Sequence, residues 1–201
     1  FGGYAHGATV QAVLDDPVRL VRMLDILVGN TCVLVDRDPG NVERRRVYGQ
    51  AGEFRTPPHG VEYRTLSNFW LRSYQLMSLA TGLARHAVII CANNMDEEFV
   101  KLVDMADITR AINTNDFNLA LRNFKSIEKL LLEVTPNDGD GYGDGTYPIS
   151  IDNIREFRHF VKKGMDYWFK EDPVEHWSRL NEYGKVGFYD FLGSVVRDDM
   201  A

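Results

Sequence analysis

Two short segments of alternating polar and apolar residues flank a turn rich in proline and glycine. The segments are 53–55 (EFR) and 61–65 (VEYRT), and the turn between them is 56–60 (TPPHG). Alternation with a period of two predicts β-strands, and the turn predicts that the strands pair antiparallel. The fold must therefore contain a sheet as well as helices.

The alternation also predicts which side chains share a face of the hairpin, because residues two apart on a strand point the same way. One face is expected to carry apolar side chains, those of Phe54, Val61 and Tyr63. The other is expected to carry charged side chains, those of Glu53, Arg55, Glu62 and Arg64.

Before the hairpin, a helix is predicted over 17–28, with Asp16 as its cap and Gly29 ending it. The apolar run TCVLVD at 31–36 is predicted to be a buried strand.

After the hairpin, a long helix is expected from Ser67 or Asn68 to about Asn93. Helical spacing of apolar residues predicts further helices near 96–104, 107–113, 116–134, 152–170 and 173–181. Segment 137–148 (NDGDGYGDGTYP) is predicted to be a long flexible loop. Residues 1–201 are thus predicted to form a single α+β domain, an antiparallel sheet packed with several α-helices.

Composition excludes several classes of protein. The chain has 23 Lys+Arg against 29 Asp+Glu, a net charge of −6, which argues against nucleic acid or an anionic membrane as a partner. A run of about 18 apolar residues, which a membrane span needs, does not occur. Cys32 and Cys91 lie in apolar runs, as buried thiols do in a reducing cytoplasm, and no cysteine or histidine spacing suggests zinc.

Five arginines within 21 residues contrast with this acidic composition: Arg44, Arg45, Arg46, Arg55 and Arg64. The guanidinium fork binds phosphate and carboxylate oxygens two at a time, so the cluster suggests an anion site. Alternatively, the charges form the solvated face of a sheet, paired with Glu43, Glu53 and Glu62. The sequence leaves both interpretations open.

The same stretch resembles a known signature. It reads Arg44-Arg45-x-x-Tyr48-Gly49-x-Ala51-Gly52-x-Phe54-Arg55 and then Pro58-x-Gly60-x-Glu62-Tyr63-Arg64-x-Leu66-Ser67-Asn68-Phe69-Trp70. These motifs resemble those of the phage-encoded COOH·NH2 ligases of type 2, in the glutamine synthetase and glutamate-cysteine ligase superfamily. The resemblance is strongest from about Asp25 to Trp70.

The resemblance implies the C-terminal part of a glutamine synthetase-like fold, in which ATP, Mg²⁺ and two substrates bind above antiparallel strands. Relatives activate a carboxylate as an acyl phosphate, which an amine then attacks. By position, Glu62 would bind Mg²⁺, and Arg64 and Arg55 would act in catalysis and hold phosphate or carboxylate. Arg44, Arg45 or Arg46 would assist them.

The N-terminal segment Gly2-Gly3-Tyr4-Ala5-His6-Gly7 resembles a family strand that carries two histidines. His6 matches the second of these and would help bind the nucleotide, whereas Tyr4 replaces the first. In the family other metal-binding glutamates precede this strand, so we expect the isolated chain to be inactive. A homo-oligomer or a separate N-terminal half would then complete the site.

Several functions stay open at this stage. The leading prediction is an ATP-dependent carboxylate-amine ligase in the host cytoplasm that joins a small-molecule or peptide carboxylate to an amine. The alternatives are a non-catalytic relative that serves as a structural or partner-binding module, and a regulator that binds nucleotide without turnover. The sequence does not identify the acid or the amine.

Overall fold

The computed structural model describes residues 14–36, 38–58, 60–72 and 74–134 of the chain. His6, the predicted loop at 137–148 and the predicted helices at 152–170 and 173–181 lie outside these residues. The described part is mostly helical and includes one small antiparallel sheet, which is compatible with the predicted α+β class.

A helical path runs without interruption from Pro17 to Val35. Helix α1 spans Pro17–Leu24, and the Asp16 carboxylate caps it by accepting the Arg19 N–H at 3.2 Å. A π-helical turn, Asp25–Gly29, connects it to α2, which spans Asn30–Val35. The prediction that Gly29 ends the helix was therefore wrong, because its φ and ψ of −59° and −54° are helical.

The predicted strand at 31–36 was also wrong, since five of its six residues belong to α2. A short, mostly apolar run gives no clear period, so a buried strand and a buried helix cannot be told apart from the sequence. Val33, Leu34 and Val35 are all buried, and α2 packs between two later helices.

The arginine triplet lies on helix α3, Gly40–Val47, and not on the sheet. The hairpin follows it as β1, Phe54–Arg55, and β2, Glu62–Tyr63. The strands pair antiparallel, with Phe54 opposite Tyr63 and Arg55 opposite Glu62. The predicted antiparallel hairpin is confirmed, and its side chains divide between the two faces as predicted. Each strand is shorter than the alternation indicated.

The helices predicted after the hairpin are present within the described residues. A 3₁₀ turn, Phe69–Arg72, precedes α4, Tyr74–Ala92; α5, α6 and α7 then span Asp96–Val100, Met105–Thr114 and Phe117–Val134. Ser67 caps the 3₁₀ turn by accepting the Phe69 N–H at 3.0 Å. No helix in the described part of the chain is long and apolar enough to cross a membrane.

The core forms around the helical path from Pro17 to Val35. This path contacts α4, α6 and α7. Its fully buried side chains include Met23, Ile26, Leu27 and Val33, and the later helices contribute Leu83, Ile90, Ile108, Ile112 and Ile127. The hairpin packs against this core through Val61 and Tyr63.

Gly29 is required where the hairpin meets the helical path from Pro17 to Val35. A Cβ atom at this position would lie 2.5 Å from the Tyr63 hydroxyl and 2.8 Å from Ile112 Cδ1. We expect Gly29→Ala to lower the free energy of unfolding by about 1–3 kcal/mol through overpacking, although alanine itself favours helix. Urea denaturation measures this loss.

Gly40→Ala is the matched control. Its Cβ would meet only the exposed Asp38 carboxylate, at 3.1 Å, in the first turn of α3. Its stability should stay within about 0.5 kcal/mol of wild type. Equal losses in the two variants would contradict the close approach at Gly29.

Candidate active site

The charged side of the hairpin brings four side chains together, and we call Glu53, Arg55, Glu62 and Arg64 the hairpin face. Arg55 Nε donates to Glu62 Oε2 at 2.6 Å. Arg64 Nη1 lies 3.1 Å from Glu53 Oε1, and its Nε lies 3.7 Å from Glu62 Oε1. The two arginines and two glutamates thus form a continuous chain of ion pairs with no net charge.

Tyr48, which directly follows α3, holds Arg64 in place. The Arg64 Cζ lies 4.3 Å from the centre of the Tyr48 ring, and Arg64 Nε donates to the Tyr48 hydroxyl at 3.2 Å. This hydrogen bond, with smaller contributions from Glu53 and Glu62, raises the pKa of Arg64 above its ordinary value. Arg64 is therefore a fixed cation at the centre of the hairpin face.

Glu53 is held more firmly than Glu62. Its Oε2 accepts the backbone N–H groups of Gly49 and Gln50, at 2.5 and 3.3 Å, while its Oε1 faces Arg64. The left-handed φ of +82° at Gly49 turns the chain back toward the carboxylate. Glu62, in contrast, has only Arg55 and Arg64 as ion-pair partners among the described residues.

The apolar side of the hairpin is fixed by a buried hydrogen bond. The Tyr63 hydroxyl donates to Asp25 Oδ1 at 2.6 Å, and the Gly52 N–H also bonds to this carboxylate. Burial raises the pKa of Asp25 to about 6 and raises the pKa of Tyr63 well above its ordinary value. Tyr63 therefore stays protonated and remains the donor.

The three arginines of α3 point in different directions, as successive helical residues must. Arg44 Nη2 donates to the Thr65 carbonyl at 2.8 Å, just beyond β2. Arg45 is buried, and its Nη1 donates to the Ile112 carbonyl at 2.5 Å and to Asn115 Oδ1 at 3.0 Å. Arg46 is exposed and pairs with Glu43 at 3.0 Å.

The structure therefore brings together only some of the predicted site residues. Arg55, Glu62 and Arg64 share the hairpin face, and Arg44 braces the chain beside it. Arg45 is directed to the end of α6, and Arg46 to solvent. What any of these side chains binds stays a prediction, as does the role of His6.

Sequence reasoning missed Asp25, Tyr48 and the anchoring of Glu53. One signal for Asp25 is present in the sequence, since it is the only ionisable residue between Met23 and Val35 other than Cys32. A charge inside such an apolar run needs a buried partner. No local pattern indicates that this partner is Tyr63, 38 positions along the chain.

The carboxylates of the hairpin face can be tested against the needs of Mg²⁺. In the described part of the chain, no three His, Cys, Asp or Glu side chains lie close enough together to hold a metal ion. Mg²⁺ is commonly held by one or two carboxylates, with phosphate oxygens and water completing its shell. Both Glu53 oxygens are already engaged, so Glu62 alone fits an ion that arrives with phosphate.

Comparison with known proteins agrees with the motifs. A model of the family described as phage phiEco32-like COOH.NH2 ligase-type 2 matches residues 1–133. The chain belongs to this family of carboxylate-amine ligases, as its sequence predicted. No curated protein and no solved structure matches the chain.

Two buried ionisable side chains, Asp25 and His86, should make the free energy of unfolding depend on pH in opposite directions. The pKa of Asp25 is raised to about 6, so its contribution to stability is present at low pH and is lost as pH rises from about 4 to 6. His86 on α4 is buried, its ring nitrogens have no hydrogen-bond partner among the described residues, and its pKa is lowered to about 4. Its contribution is present above its unfolded pKa of about 6.5 and is lost as pH falls.

We expect these two dependences largely to offset each other in the wild type between about pH 4.5 and 6. Asp25→Asn should make the free energy of unfolding rise more steeply with pH, and His86→Leu should make it fall, each by at most about 2 kcal/mol between about pH 4.5 and 6. Urea denaturation at several pH values measures both slopes. Variant slopes equal to that of the wild type would contradict the assignment.

Arg45 and Arg46 offer a test of what the triplet does for the fold. Arg45→Met leaves the Ile112 carbonyl and the Asn115 side chain without their buried donor, so we expect a loss of about 1–3 kcal/mol in unfolding free energy. Arg46→Met removes only an exposed pair and should cost less than about 0.5 kcal/mol. Similar losses in thermal or urea denaturation would show that Arg45 has no bracing role.

Proposed function

We propose that the hairpin face binds the phosphates of ATP in an enzyme that joins a carboxylate to an amine. The observation that carries this proposal is the convergence of Arg55, Glu62 and Arg64 on one exposed face, in a chain of the carboxylate-amine ligase family. The Arg55 side chain is 64% exposed, so the described residues leave this face accessible to a ligand.

The reaction proceeds in two transfers. The substrate carboxylate oxygen attacks the terminal phosphorus of ATP, which releases ADP and leaves an acyl phosphate. The amine then attacks the acyl carbon, phosphate leaves, and the amine proton passes to solvent or to a base. Both steps concentrate negative charge on phosphoryl oxygens, and fixed guanidinium groups lower the free energy of such a charge distribution.

Individual residues take distinct parts in this proposal. Arg64, held by Tyr48 and Glu53, supplies a cation that need not reorganise during phosphoryl transfer. Arg55 is more exposed and reaches phosphate or the substrate carboxylate. Glu62 would hold Mg²⁺, which would supply positive charge to neutralise the phosphate oxygens.

The rest of the site extends beyond the described residues. A glutamine synthetase-like floor needs further antiparallel strands, and we propose that they join the hairpin from other parts of the protein or from a second subunit. His6 would assist at the nucleotide. The substrates would be a small-molecule or peptide acid and an amine. The free thiols of Cys32, which is half-buried, and Cys91, which is buried, agree with a cytoplasmic location.

A second candidate is a non-catalytic module of the same family. It is favoured by one observation: every charge of the hairpin face already has a partner within the face, as in a purely solvated surface. Such a module would bind neither ATP nor a divalent cation at Glu62.

Glu62→Gln separates these candidates. With the full-length protein, ATP, Mg²⁺ and a panel of acid and amine pairs, amine-dependent phosphate release by this variant should fall by about 10²–10³, as for loss of a charged catalytic group. Glu43→Gln removes the same charge from the exposed pair on α3 and should retain wild-type rates. Equal activity of wild type and Glu62→Gln would disprove the role of Glu62.

A further inference from the structure

We propose that the ion pairs of the hairpin face couple the binding of a divalent cation to the binding of a polyphosphate, so that each ligand raises the affinity for the other. This inference rests on the proposed function, since it concerns the same two ligands. It adds that the ion pairs of the chain itself weaken the binding of metal-free nucleotide and of nucleotide-free metal.

The coupling follows from the partners of Glu62. Its Oε2 faces Arg55 at 2.6 Å and its Oε1 faces Arg64 at 3.7 Å, so both oxygens that could hold a cation are already directed at cations. The reverse also holds, because Arg55 has Glu62 as its ion-pair partner among the described residues. Without ligands, Glu62 thus occupies the position beside the arginines that a phosphate would take. The arginines occupy the position beside Glu62 that a metal ion would take.

A ligand that binds alone must therefore break ion pairs of the hairpin face and leave one of the separated charges without a partner. A phosphate that takes Arg55 and Arg64 leaves Glu62 as an unpaired anion beside another anion. A metal ion that takes Glu62 leaves the Arg55 guanidinium without its ion-pair partner and leaves Arg64 paired with Glu53 alone. When both arrive, the metal replaces the arginines at Glu62 and the phosphate replaces Glu62 at the arginines, so no charge is left without a partner.

Glu53 and Tyr48 make this exchange specific to Glu62. Glu53 is tied to the N–H groups of Gly49 and Gln50 and keeps Arg64 paired when Glu62 leaves it. Tyr48 holds the same guanidinium from its ring face. Arg64 therefore stays in position, while Glu62 and Arg55 are the side chains that change partners.

The expected size of the coupling follows from the strength of exposed ion pairs. Such pairs are worth at most about 1 kcal/mol each, which corresponds to about a fivefold change in affinity. Removing Glu62 should therefore tighten the binding of metal-free polyphosphate by about two- to fivefold. A plain structural residue would weaken it.

Calorimetric titration of the full chain with ATP in excess EDTA tests whether removing Glu62 tightens or weakens the binding of metal-free ATP. We expect Glu62→Gln to bind metal-free ATP about two- to fivefold more tightly than wild type, and to lose the gain in affinity that Mg²⁺ gives the wild type. Glu43→Gln carries the same change in net charge and frees Arg46, outside the hairpin face. It should bind metal-free ATP as wild type does, which controls for bulk charge.

Mn²⁺ without nucleotide tests the reciprocal effect, with the bound ion counted by electron paramagnetic resonance. Arg55→Gln frees Glu62 and should bind Mn²⁺ more tightly than wild type by a similar factor, whereas Arg46→Gln should not. Circular dichroism at the titration temperature establishes that each variant is folded.

The outcomes separate the inference from the function on which it rests. If wild type binds ATP with Mg²⁺ but Glu62→Gln binds metal-free ATP no more tightly than wild type, the coupling is wrong and the proposed function stands. If wild type binds ATP neither with nor without Mg²⁺, the proposed function fails, and the coupling fails with it.

Discussion

The hydrogen bond from Tyr63 to Asp25 is the contact on which the geometry of the candidate site depends. Each strand of the hairpin has only two residues, and an isolated two-stranded hairpin is marginally stable in water. The buried Tyr63 hydroxyl joins β2 to the π-helical turn at Asp25. Since neighbouring residues on a strand point to opposite faces, fixing Tyr63 inward directs Glu62 and Arg64 outward.

The π-helical turn makes this contact possible. Asp25 begins the turn and Gly29 ends it, and Gly29 leaves room for the Tyr63 hydroxyl. Arg44 and Arg45 on α3 then brace the region, the first against the chain after β2 and the second against the end of α6. Part of the arginine cluster thus positions the hairpin face instead of belonging to it.

The features of this arrangement that depend only on residues close together in the sequence could be predicted. Alternation around the turn at 56–60 predicts that Arg55 and Glu62 share a face of the hairpin, and in the structure they lie opposite each other. The helix at 31–35 could not be predicted in this way, because an apolar run buried on every side carries no period. Nor could the direction of Arg45, which depends on carbonyl and amide groups near residue 112, far along the chain. Local pattern thus predicts the residues of the face, and long-range packing decides which arginines reach it.

Five clustered arginines occur in a chain with a net charge of −6. Their ion pairs neutralise part of this cluster locally. Unpaired, the arginines would form a basic patch open to any polyanion. Glu43, Glu53 and Glu62 pair with three of them, and two others are turned toward backbone carbonyls. A polyanion without a matching cation must displace these glutamates and gains little from doing so. If the face binds nucleotide as we propose, its selectivity comes from this internal competition, since only a ligand that carries both signs of charge satisfies every group it disturbs.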